Sequence, residues 1–529
     1  MTDHPFAREA ARRRTFAIIS HPDAGKTTLT EHVLQAAGAL HLAGQVRARG
    51  QNRRTASDWM RIERERGISV SSSVMTFEYR DLVFNLLDTP GHEDFSEDTY
   101  RTLTAADSAV MVLDAAKGIE PQTLKLFEVC RLRDIPILTF INKMDREALD
   151  PLELLDEIGD KLALDVSPMQ WPAGSGLRFR GVQDLRANVF LPFEKKAAAT
   201  GQRRLDLNDP QLQGFLPDGQ REALAEAAEL AREACPAFSN SAYREGHLTP
   251  VYFGSALRHF GVLELLDALA SHAPGPKPVG AHIGARQTLV QPGAAQNAGF
   301  VFKVQANMDP NHRDRVAFMR LASGRFRRGM KLRTTGGKVM SINAPIMFFA
   351  KEREIAEQAY AGDVIGIPNH GTLRVGDSLS ESGKVRFAGI PNFAPELLRR
   401  ARPRDPMKAK HLRKALQSLA EEGVTQLFRP LIGAEMILGA VGPLQIEVTA
   451  ERIAEEYKLD VVFEDSPYTI ARWISAVDKA ALQDFIDRHK MQMALDVDED
   501  PVFLGKSTWE IGYVQEKFPA IEFLNTKER

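Results

Sequence analysis

Short apolar runs alternate with helix-like stretches over the first 150 residues of the chain. The apolar runs cover 15–19, 82–87, 109–113 and 136–141, and the helix-like stretches cover 28–43, 94–106 and 121–132. A stretch of alternating apolar and polar residues up to Tyr79 has the pattern of an edge strand. Strands that alternate with helices in this way predict an α/β domain with a mainly parallel sheet. Functional loops are then expected at the carboxyl ends of the strands.

The alternation stops near residue 150 and resumes near residue 250. Between these points the chain has a helical start, a Trp171-Pro172 segment, a polar stretch and an Ala/Glu-rich helix near 220–234. A new apolar run at 250–253 and a helix near 261–272 then restore the rhythm. We therefore expect a first domain over 1–276 that carries an insertion at about 150–250.

Short β-like runs separated by glycines make up the next part of the chain. A stretch rich in Pro, Gly and Ala at 273–298 precedes them, and we interpret it as a linker. Many short strands at this spacing are typical of a small all-β barrel, which we place at 277–388. The runs are 300–304, 315–321, 330–333, 347–349, 364–367 and 378–379.

The pattern changes once more near residue 390. A strand at 393–396, a helix at 407–421, strands at 424–428 and 435–441, a helix at 443–457 and a strand at 459–463 follow one another. This βαββαβ order is that of a ferredoxin-like sandwich, so we expect an α+β domain over 389–529. The last fifty residues mix short helices and strands that the pattern does not place.

Composition narrows the class of protein. The chain has 529 residues, of which 43% are hydrophobic and 26% charged, as in ordinary soluble globular proteins. The formal net charge of −2 means that any contact with nucleic acid must come from local patches. Two cysteines, Cys130 and Cys235, suit a reducing cytosol. The sequence shows no targeting peptide and no membrane-spanning run, so we expect a cytoplasmic protein without a membrane or DNA partner.

The loop after the first apolar run has the composition of a phosphate-binding loop. Residues 20–27 read S-x-x-x-x-G-K-T, and helix-forming residues follow. In such a loop Lys26 reaches the β- and γ-phosphates and the Thr27 hydroxyl holds Mg²⁺. Serine replaces the first glycine of the usual pattern, so the loop alone could equally be a strand–turn–helix corner. The candidate binding residues are Ser20, His21, Pro22, Asp23, Ala24, Gly25, Lys26, Thr27 and Thr28.

The second apolar run ends in Asp88-Thr89-Pro90-Gly91. At this distance from a phosphate loop, Asp88 can hold Mg²⁺ through water and the Gly91 N–H can approach the γ-phosphate. An isolated D-T-P-G would be interpreted as a turn.

The fourth apolar run ends in Asn142-Lys143-Met144-Asp145. The Asp145 carboxylate can accept hydrogen bonds from N1–H and the 2-amino group of guanine, which adenine lacks. Asn142 can brace the loops and the stem of Lys143 can cover the base. Ser255 and Ala256 follow the last apolar run, where a backbone N–H can meet the base oxygen. Four such signals in one order, each at a strand end, predict binding of GTP and GDP with Mg²⁺.

The same loops resemble those of the translational GTPases. The resemblance rests on their order, on the Arg-Gly-Ile-Ser run at 66–69 and on His92 directly after the D-T-P-G motif. It implies that Ser69, where that family usually has threonine, joins Thr27 and Asp88 in holding Mg²⁺. It also implies that His92 positions the attacking water, so His92 and Lys26 are the expected catalytic residues.

Within that superfamily the chain resembles the family of bacterial peptide chain release factor 3. The segments that carry this resemblance are SHPDAGKTT at 20–28, GHEDFSEDTYRTL at 91–103 and VGPLQIEV at 441–448. The resemblance implies a GTPase that binds the 70S ribosome, hydrolyses GTP to GDP and phosphate, and promotes the departure of class I release factors after peptide release. A monomer is expected.

Two other functions remain open at this stage. One is a different ribosome-bound GTPase, such as a translocase-like or ribosome-protection factor, and the expected absence of further domains after the ferredoxin-like unit argues against it. The other is a nucleotide-regulated binding protein that scarcely hydrolyses GTP. Arginines that could contact rRNA phosphates, or equally be solvated loop residues, are Arg325, Arg327, Arg328, Arg399, Arg400, Arg402 and Arg404.

Overall fold

The computed structural model describes residues 5–39, 69–194, 203–306, 315–349, 352–387 and 389–528. The arginine-rich stretch at 44–67 and the end of the helix predicted over 28–43 lie outside the described residues. Among the described helices, none has the length and apolar character needed to cross a membrane.

A mainly parallel sheet forms the centre of the first domain, as predicted. Its strands lie in the order β2-β3-β1-β4-β5-β11-β6. Neighbours pair in parallel except β2 and β3, which pair antiparallel. The strands of this domain are β1 (Arg13–Ser20), β2 (Ser73–Tyr79), β3 (Leu82–Asp88), β4 (Ser108–Asp114), β5 (Ile137–Asn142), β6 (Asp165–Pro168), β7 (Gln170–Pro172), β8 (Gly181–Asp184), β9 (Val189–Pro192), β10 (Leu205–Asp206) and β11 (Leu248–Phe253).

Helices cover both faces of this sheet. Along β1, Phe16 and Ile18 pack on one face while Ala17 and Ile19 pack on the other, because successive side chains of a strand point to opposite sides. Both faces are therefore apolar, which is typical of a buried parallel sheet. The helices are α1 (Pro5–Ala11), α2 (Lys26–Ala36), α3 (Ser96–Leu103), α4 (Pro121–Leu132), α5 (Pro151–Leu162), α6 (Asp218–Ala234), α7 (Asn240–Arg244) and α8 (Val262–His272).

The segment expected to be an insertion divides into two parts. Helix α5 and strand β6 belong to the main sheet, because β6 pairs in parallel with β11. Strands β7 to β10 form a separate antiparallel four-stranded sheet, against which α6 packs. The chain therefore leaves the main sheet near residue 170, later than the sequence pattern indicated.

Antiparallel strands form the second domain, and the predicted β runs all appear in it. The interpretation of 273–298 as a linker was wrong. This stretch contains the β12–β13 hairpin, and β12 pairs with β24. The strands are β12 (Val279–Ile283), β13 (Arg286–Val290), β14 (Ala298–Ala306), β15 (Arg315–Ser323), β16 (Arg325–Arg327), β17 (Lys331–Thr334), β18 (Val339–Ser341), β19 (Ile346–Phe349), β20 (Glu352–Ile355), β21 (Gln358–Tyr360), β22 (Val364–Pro368), β23 (Ser378–Ser380) and β24 (Val385–Phe387).

The third domain begins with the predicted βαββαβ order. Its first four strands lie in the order β29-β26-β28-β27, the arrangement of a ferredoxin-like sheet. The first strand was predicted at 393–396 and is in fact β26, while β25 pairs with the last strand β34. The elements are β25 (Pro391–Phe393), β26 (Leu397–Pro403), α9 (Ala409–Glu421), β27 (Gln426–Pro430), β28 (Met436–Ala440), α10 (Pro443–Tyr457), β29 (Val461–Asp465), β30 (Ile470–Ser475), α11 (Lys479–Arg488), β31 (Met493–Leu495), β32 (Pro501–Gly505), α12 (Thr508–Lys517), β33 (Glu522–Leu524) and β34 (Thr526–Glu528).

The residues that the pattern did not place extend this sheet. Strands β31, β32, β30 and β33 continue it beyond β27, with α11 and α12 packed against them. Among the described residues, the main sheet of the third domain is therefore one continuous antiparallel sheet of eight strands, and β25 and β34 form a separate pair.

Polar contacts join the second domain to the first. The Arg320 guanidinium donates to the Asp107 carboxylate and to the Gly362 carbonyl, and all of these atoms are buried. Arg13 in β1 lies 3.3 Å from Asp363. Because a buried charge is costly without its partner, these pairs fix the barrel against the amino ends of β1 and β4.

Candidate nucleotide-binding site

The phosphate loop connects β1 to α2, as the sequence predicted. Ser20 ends β1 and Lys26 begins α2. Gly25 has φ +94°, a left-handed conformation that favours glycine. A Cβ at Gly25 would lie 2.4 Å from Asn142 Nδ2, so the glycine leaves room for the neighbouring loop.

A cavity of about 230 Å³ lies over this loop. Ser20 Oγ is buried in it and has no hydrogen-bond partner among the described residues. An orphaned hydroxyl of this kind is expected where a polar ligand binds. The lining residues are Ser20, His21, Pro22, Asp23, Gly25, Lys26, Thr27, Thr28, Ser69, Gly91 and His92.

A buried ion pair lies at the start of α2. Lys26 Nζ is 2.6 Å from Asp88 Oδ1, and the side chains are 6% and 1% exposed. The two groups expected at the γ-phosphate and at Mg²⁺ therefore neutralise each other. Both side chains are already largely removed from solvent.

The loop after β3 is held against the phosphate loop. Thr89 Oγ1 donates to the Ile18 carbonyl at 2.7 Å. Pro90 and Gly91 follow, and a Cβ at Gly91 would lie 3.5 Å from the Ser20 and His21 carbonyl oxygens. The D-T-P-G segment thus packs along the phosphate loop.

His92 lies at the mouth of the cavity and is 33% exposed. Its Nδ1 accepts a hydrogen bond from the Asp94 backbone N–H at 3.2 Å. A ring nitrogen that accepts cannot carry the proton, so the neutral ring carries it on Nε2. Nε2 is then available to a water or phosphate oxygen.

Asn142 joins three loops. Its Nδ2 donates to the Ala24 carbonyl at 2.7 Å, and its Oδ1 accepts the Ala256 N–H at 2.8 Å. This is the bracing role that the sequence predicted for it. Met144 is 1% exposed and packs in the core, so it supports the loop from below.

Lys143 extends from a left-handed backbone position, with φ +72°. Its Nζ is 2.7 Å from Asp114 Oδ2. Burial alone would raise the pKa of Asp114, but Lys143 and the Ala116 N–H lower it below its usual value. The ion pair therefore holds the Lys143 stem across the end of the sheet.

Asp145 is held by the last loop. Ser255 Oγ donates to Asp145 Oδ1 at 2.6 Å, and Arg258 Nε lies 3.6 Å from Asp145 Oδ2. The N–H groups expected at the base oxygen are engaged elsewhere, because Ser255 N–H donates to the Phe260 carbonyl and Ala256 N–H to Asn142. In this structure Ser255 orients Asp145 and Ala256 braces Asn142.

Three residues of this site were missed in the sequence analysis. Asp114 is the last residue of β4, so the strand-end argument could have identified it. Glu120 Oε2 lies 2.7 Å from His21 Nε2, and burial lowers the pKa of His21 although Glu120 opposes this. Asp94 contacts the third domain, which no local pattern indicates.

Some of the arginines considered for rRNA contact are paired with acidic residues. Arg400 and Arg402 each lie within 3.5 Å of a carboxylate oxygen of Glu464 and also contact Glu435. Arg328 lies 2.9 Å from Glu357. The charges of Arg328, Arg400 and Arg402 are therefore compensated by neighbouring carboxylates.

Family models match all three domains of this chain. Residues 11–275 match the Elongation factor Tu GTP binding domain. Residues 296–382 match Elongation factor G domain 2, and residues 387–515 match Class II release factor RF3, C-terminal domain. Fold and loops together therefore define a translational GTPase.

Similar proteins narrow this class to one family. Peptide chain release factor 3 from Bordetella pertussis and that from Bordetella bronchiseptica are each 51% identical over 98% of this chain and 97% of their own length. A crystal structure from Thermus thermophilus is 26% identical with a TM-score of 0.68, covering 88% of this chain and 70% of that one. The chain belongs to the peptide chain release factor 3 family, and it is a GTPase of translation termination.

Proposed function

We propose that this protein binds the 70S ribosome and promotes dissociation of class I release factors after peptide release. Hydrolysis of GTP then lets the protein itself leave. The relatives with 51% identity are named peptide chain release factor 3, and the similarity covers 98% of this chain. This full-length similarity supports the proposal more than any single motif.

GTP would bind with its phosphates in the 230 Å³ cavity. Lys26 would exchange its pairing with Asp88 for the β- and γ-phosphates, so its charge stays compensated throughout. The helix N-terminus at Lys26 adds a favourable dipole for the phosphates.

The oxygen donors around this cavity fit Mg²⁺. Thr27 and Ser69 line the same cavity, and the buried Asp88 carboxylate already faces a cation, Lys26. Hydroxyl and carboxylate oxygens are the ligands that this hard ion prefers. When bound, Mg²⁺ neutralises charge on the phosphate oxygens. Thr27, Ser69 and Asp88 would hold it.

The base would lie against Asn142-Lys143-Met144-Asp145. Asp145 is oriented by Ser255, so its carboxylate can accept the guanine N1–H and 2-amino donors without reorganising. His92 would orient the attacking water, because its ring lies at the mouth of the phosphate cavity. Its Nε2–H can donate to that water, whereas the paired Nδ1 fixes the ring.

Labelled class I factor on 70S termination complexes gives the direct test. Addition of the protein with GTP after peptide release should accelerate loss of the label. Lys26→Ala, which removes the proposed phosphate contact, serves as the control. With this variant the rate of label loss should equal the rate measured without added protein. The same protein should not translocate pretranslocation complexes. Translocation activity, or no effect on factor dissociation, would overturn the proposal in favour of another ribosome-bound GTPase.

A further inference from the structure

The turn that follows His92 is anchored in the third domain. The Leu444 backbone N–H, in the first turn of α10, donates to Asp94 Oδ2 at 2.7 Å. Asp94 is 5% exposed. A carboxylate at the start of a helix satisfies a free N–H and interacts favourably with the helix dipole. Asp94 therefore caps a helix that lies about 350 residues away in the sequence.

Gly442 makes this contact possible. A Cβ at Gly442 would lie 2.1 Å from Asp94 Cγ, which is far inside contact distance. The backbone of Gly442 has φ −149°, an extended conformation open to any residue. The glycine is therefore required for space and not for its conformation.

Asp94 also fixes the ring of His92. Its backbone N–H donates to His92 Nδ1 at 3.2 Å, while its side chain is held by α10. Phe95 packs with Val70 and Val448, so the next residue is also clamped between the two domains. The position of His92 thus depends on a contact with the third domain.

Among the described residues, few other polar contacts join α3 to the third domain. Arg101 donates to the Gly423 carbonyl at 2.6 Å, and Gln426 Nε2 donates to Glu97 at 3.0 Å. A cleft of about 870 Å³ opens beside Asp94. Because the domains are not continuously packed here, a small set of contacts sets the position of the turn.

We propose that Asp94 is a positioning residue through which the docked third domain holds His92, so that rapid GTP hydrolysis requires that docking. The proposal rests on the proposed function in one respect, the role of His92 in orienting water. A ring that loses its support moves away from the reacting geometry, which lowers kcat while leaving ground-state binding of GTP unchanged.

The test compares ribosome-stimulated GTP hydrolysis by wild type, Gly442→Ala, Asp94→Ala and Asp94→Asn, each also in a His92→Ala background. Gly442→Ala and Asp94→Ala should lower kcat roughly 10- to 100-fold with little change in KM for GTP. Asp94→Asn keeps an oxygen acceptor for Leu444 N–H and should retain most activity. Gly512→Ala, where a Cβ meets nothing within 4 Å, is the matched control and should behave as wild type.

The His92→Ala background separates this proposal from the proposed function. If Gly442 and Asp94 act through His92, their substitution should add no further loss once His92 is alanine. An equal loss in both backgrounds, or wild-type kcat in Gly442→Ala and Asp94→Ala, would overturn the positioning role. Unchanged hydrolysis by His92→Ala alone would instead overturn the role of His92. Fluorescent GDP affinity, measured for every variant, reports whether the nucleotide domain is folded.

Discussion

At the scale of residues, the nucleotide loops hold one another in place. Asn142 connects the phosphate loop to the last loop, and Ser255 orients Asp145. Lys143 is fixed by Asp114, and Lys26 by Asp88. Side chains that are positioned before the ligand arrives lose less freedom on binding, which favours affinity. A change at one loop is therefore expected to disturb the others.

Asp145→Asn should weaken GTP binding and shift preference toward xanthosine triphosphate. The substituted amide presents an N–H where guanine also presents donors, and each lost charge-assisted hydrogen bond costs roughly 1.5–3 kcal/mol. Titrations of both proteins with GTP and xanthosine triphosphate measure this shift. Unchanged GTP affinity in the variant would show that this loop does not contact the base.

Glu264, in α8, should make stability depend on pH. Burial raises the pKa of Glu264 from 4.5 to about 7, so the folded state favours the protonated form. The folded protein then binds more protons than the unfolded chain, and stability is lost as pH rises through this range. This difference in the pKa of Glu264 between the folded and unfolded states corresponds to a loss of roughly 3 kcal/mol in the free energy of unfolding at high pH.

Glu264→Gln removes this titration while keeping the side-chain shape. Urea unfolding should give the variant the higher midpoint at pH 8 and no such advantage at pH 5. A variant whose midpoint follows wild type at both pH values would show that Glu264 does not titrate in this range.

At the scale of elements, the sequence predicted the strands with strong local patterns and missed features that depend on distant pairing. The apolar run at 109–113, for example, forms a buried strand. Strands of a parallel sheet are covered on both faces, so they are recognisable in the sequence as continuous apolar runs. The strand predicted at 393–396 overlaps the end of β25, which pairs with the distant strand β34, and stops just before β26 begins. The β12–β13 hairpin looked like a linker because its partner, β24, lies about 100 residues further on.

The candidate site likewise has features that local sequence predicted and contacts that it did not. The positions of the loops at 20–27 and 142–145 at strand ends were predictable, because their spacing and residue types are local. A bracing role for Asn142 was predicted, but its partner Ala24 was not, and neither was the contact of Asp94 with Leu444, since these pairs join elements far apart in sequence.

Gly25→Ala should disturb the phosphate loop and the loop at 142–145 together. The new Cβ would displace Asn142 from Ala24 and Ala256, and the left-handed backbone would add strain. We expect at least about a tenfold loss of GTP affinity, which corresponds to about 1.4 kcal/mol.

Gly246→Ala is the control for this strain. Gly246 has φ +78°, but a Cβ there meets nothing within 4 Å. It should lose some stability and bind GTP as wild type does, as measured by nucleotide titration. Equal affinity losses in the two variants would show that backbone strain alone accounts for the effect.

At the scale of the whole molecule, both later domains contact the segments that flank the phosphate cavity. Lys303 of the barrel donates to Ser71 Oγ at 2.6 Å and lies 3.6 Å from Asp98. Burial alone would raise the pKa of Asp98, but Lys303 and hydrogen bonds from Ser72 lower it, so this carboxylate stays charged at the domain interface. A change in the nucleotide can thus be transmitted to the barrel near Ser69, and to the third domain through Asp94.

The central claim is that this site hydrolyses GTP when the ribosome completes it, with His92 orienting the water. The most direct measurement is GTP turnover by wild type and His92→Ala, with and without saturating 70S ribosomes. Wild type should be slow alone and accelerated by orders of magnitude with ribosomes. His92→Ala should bind GTP with nearly unchanged affinity and show little acceleration. Equal acceleration of the two proteins, or no acceleration of wild type, would contradict the account.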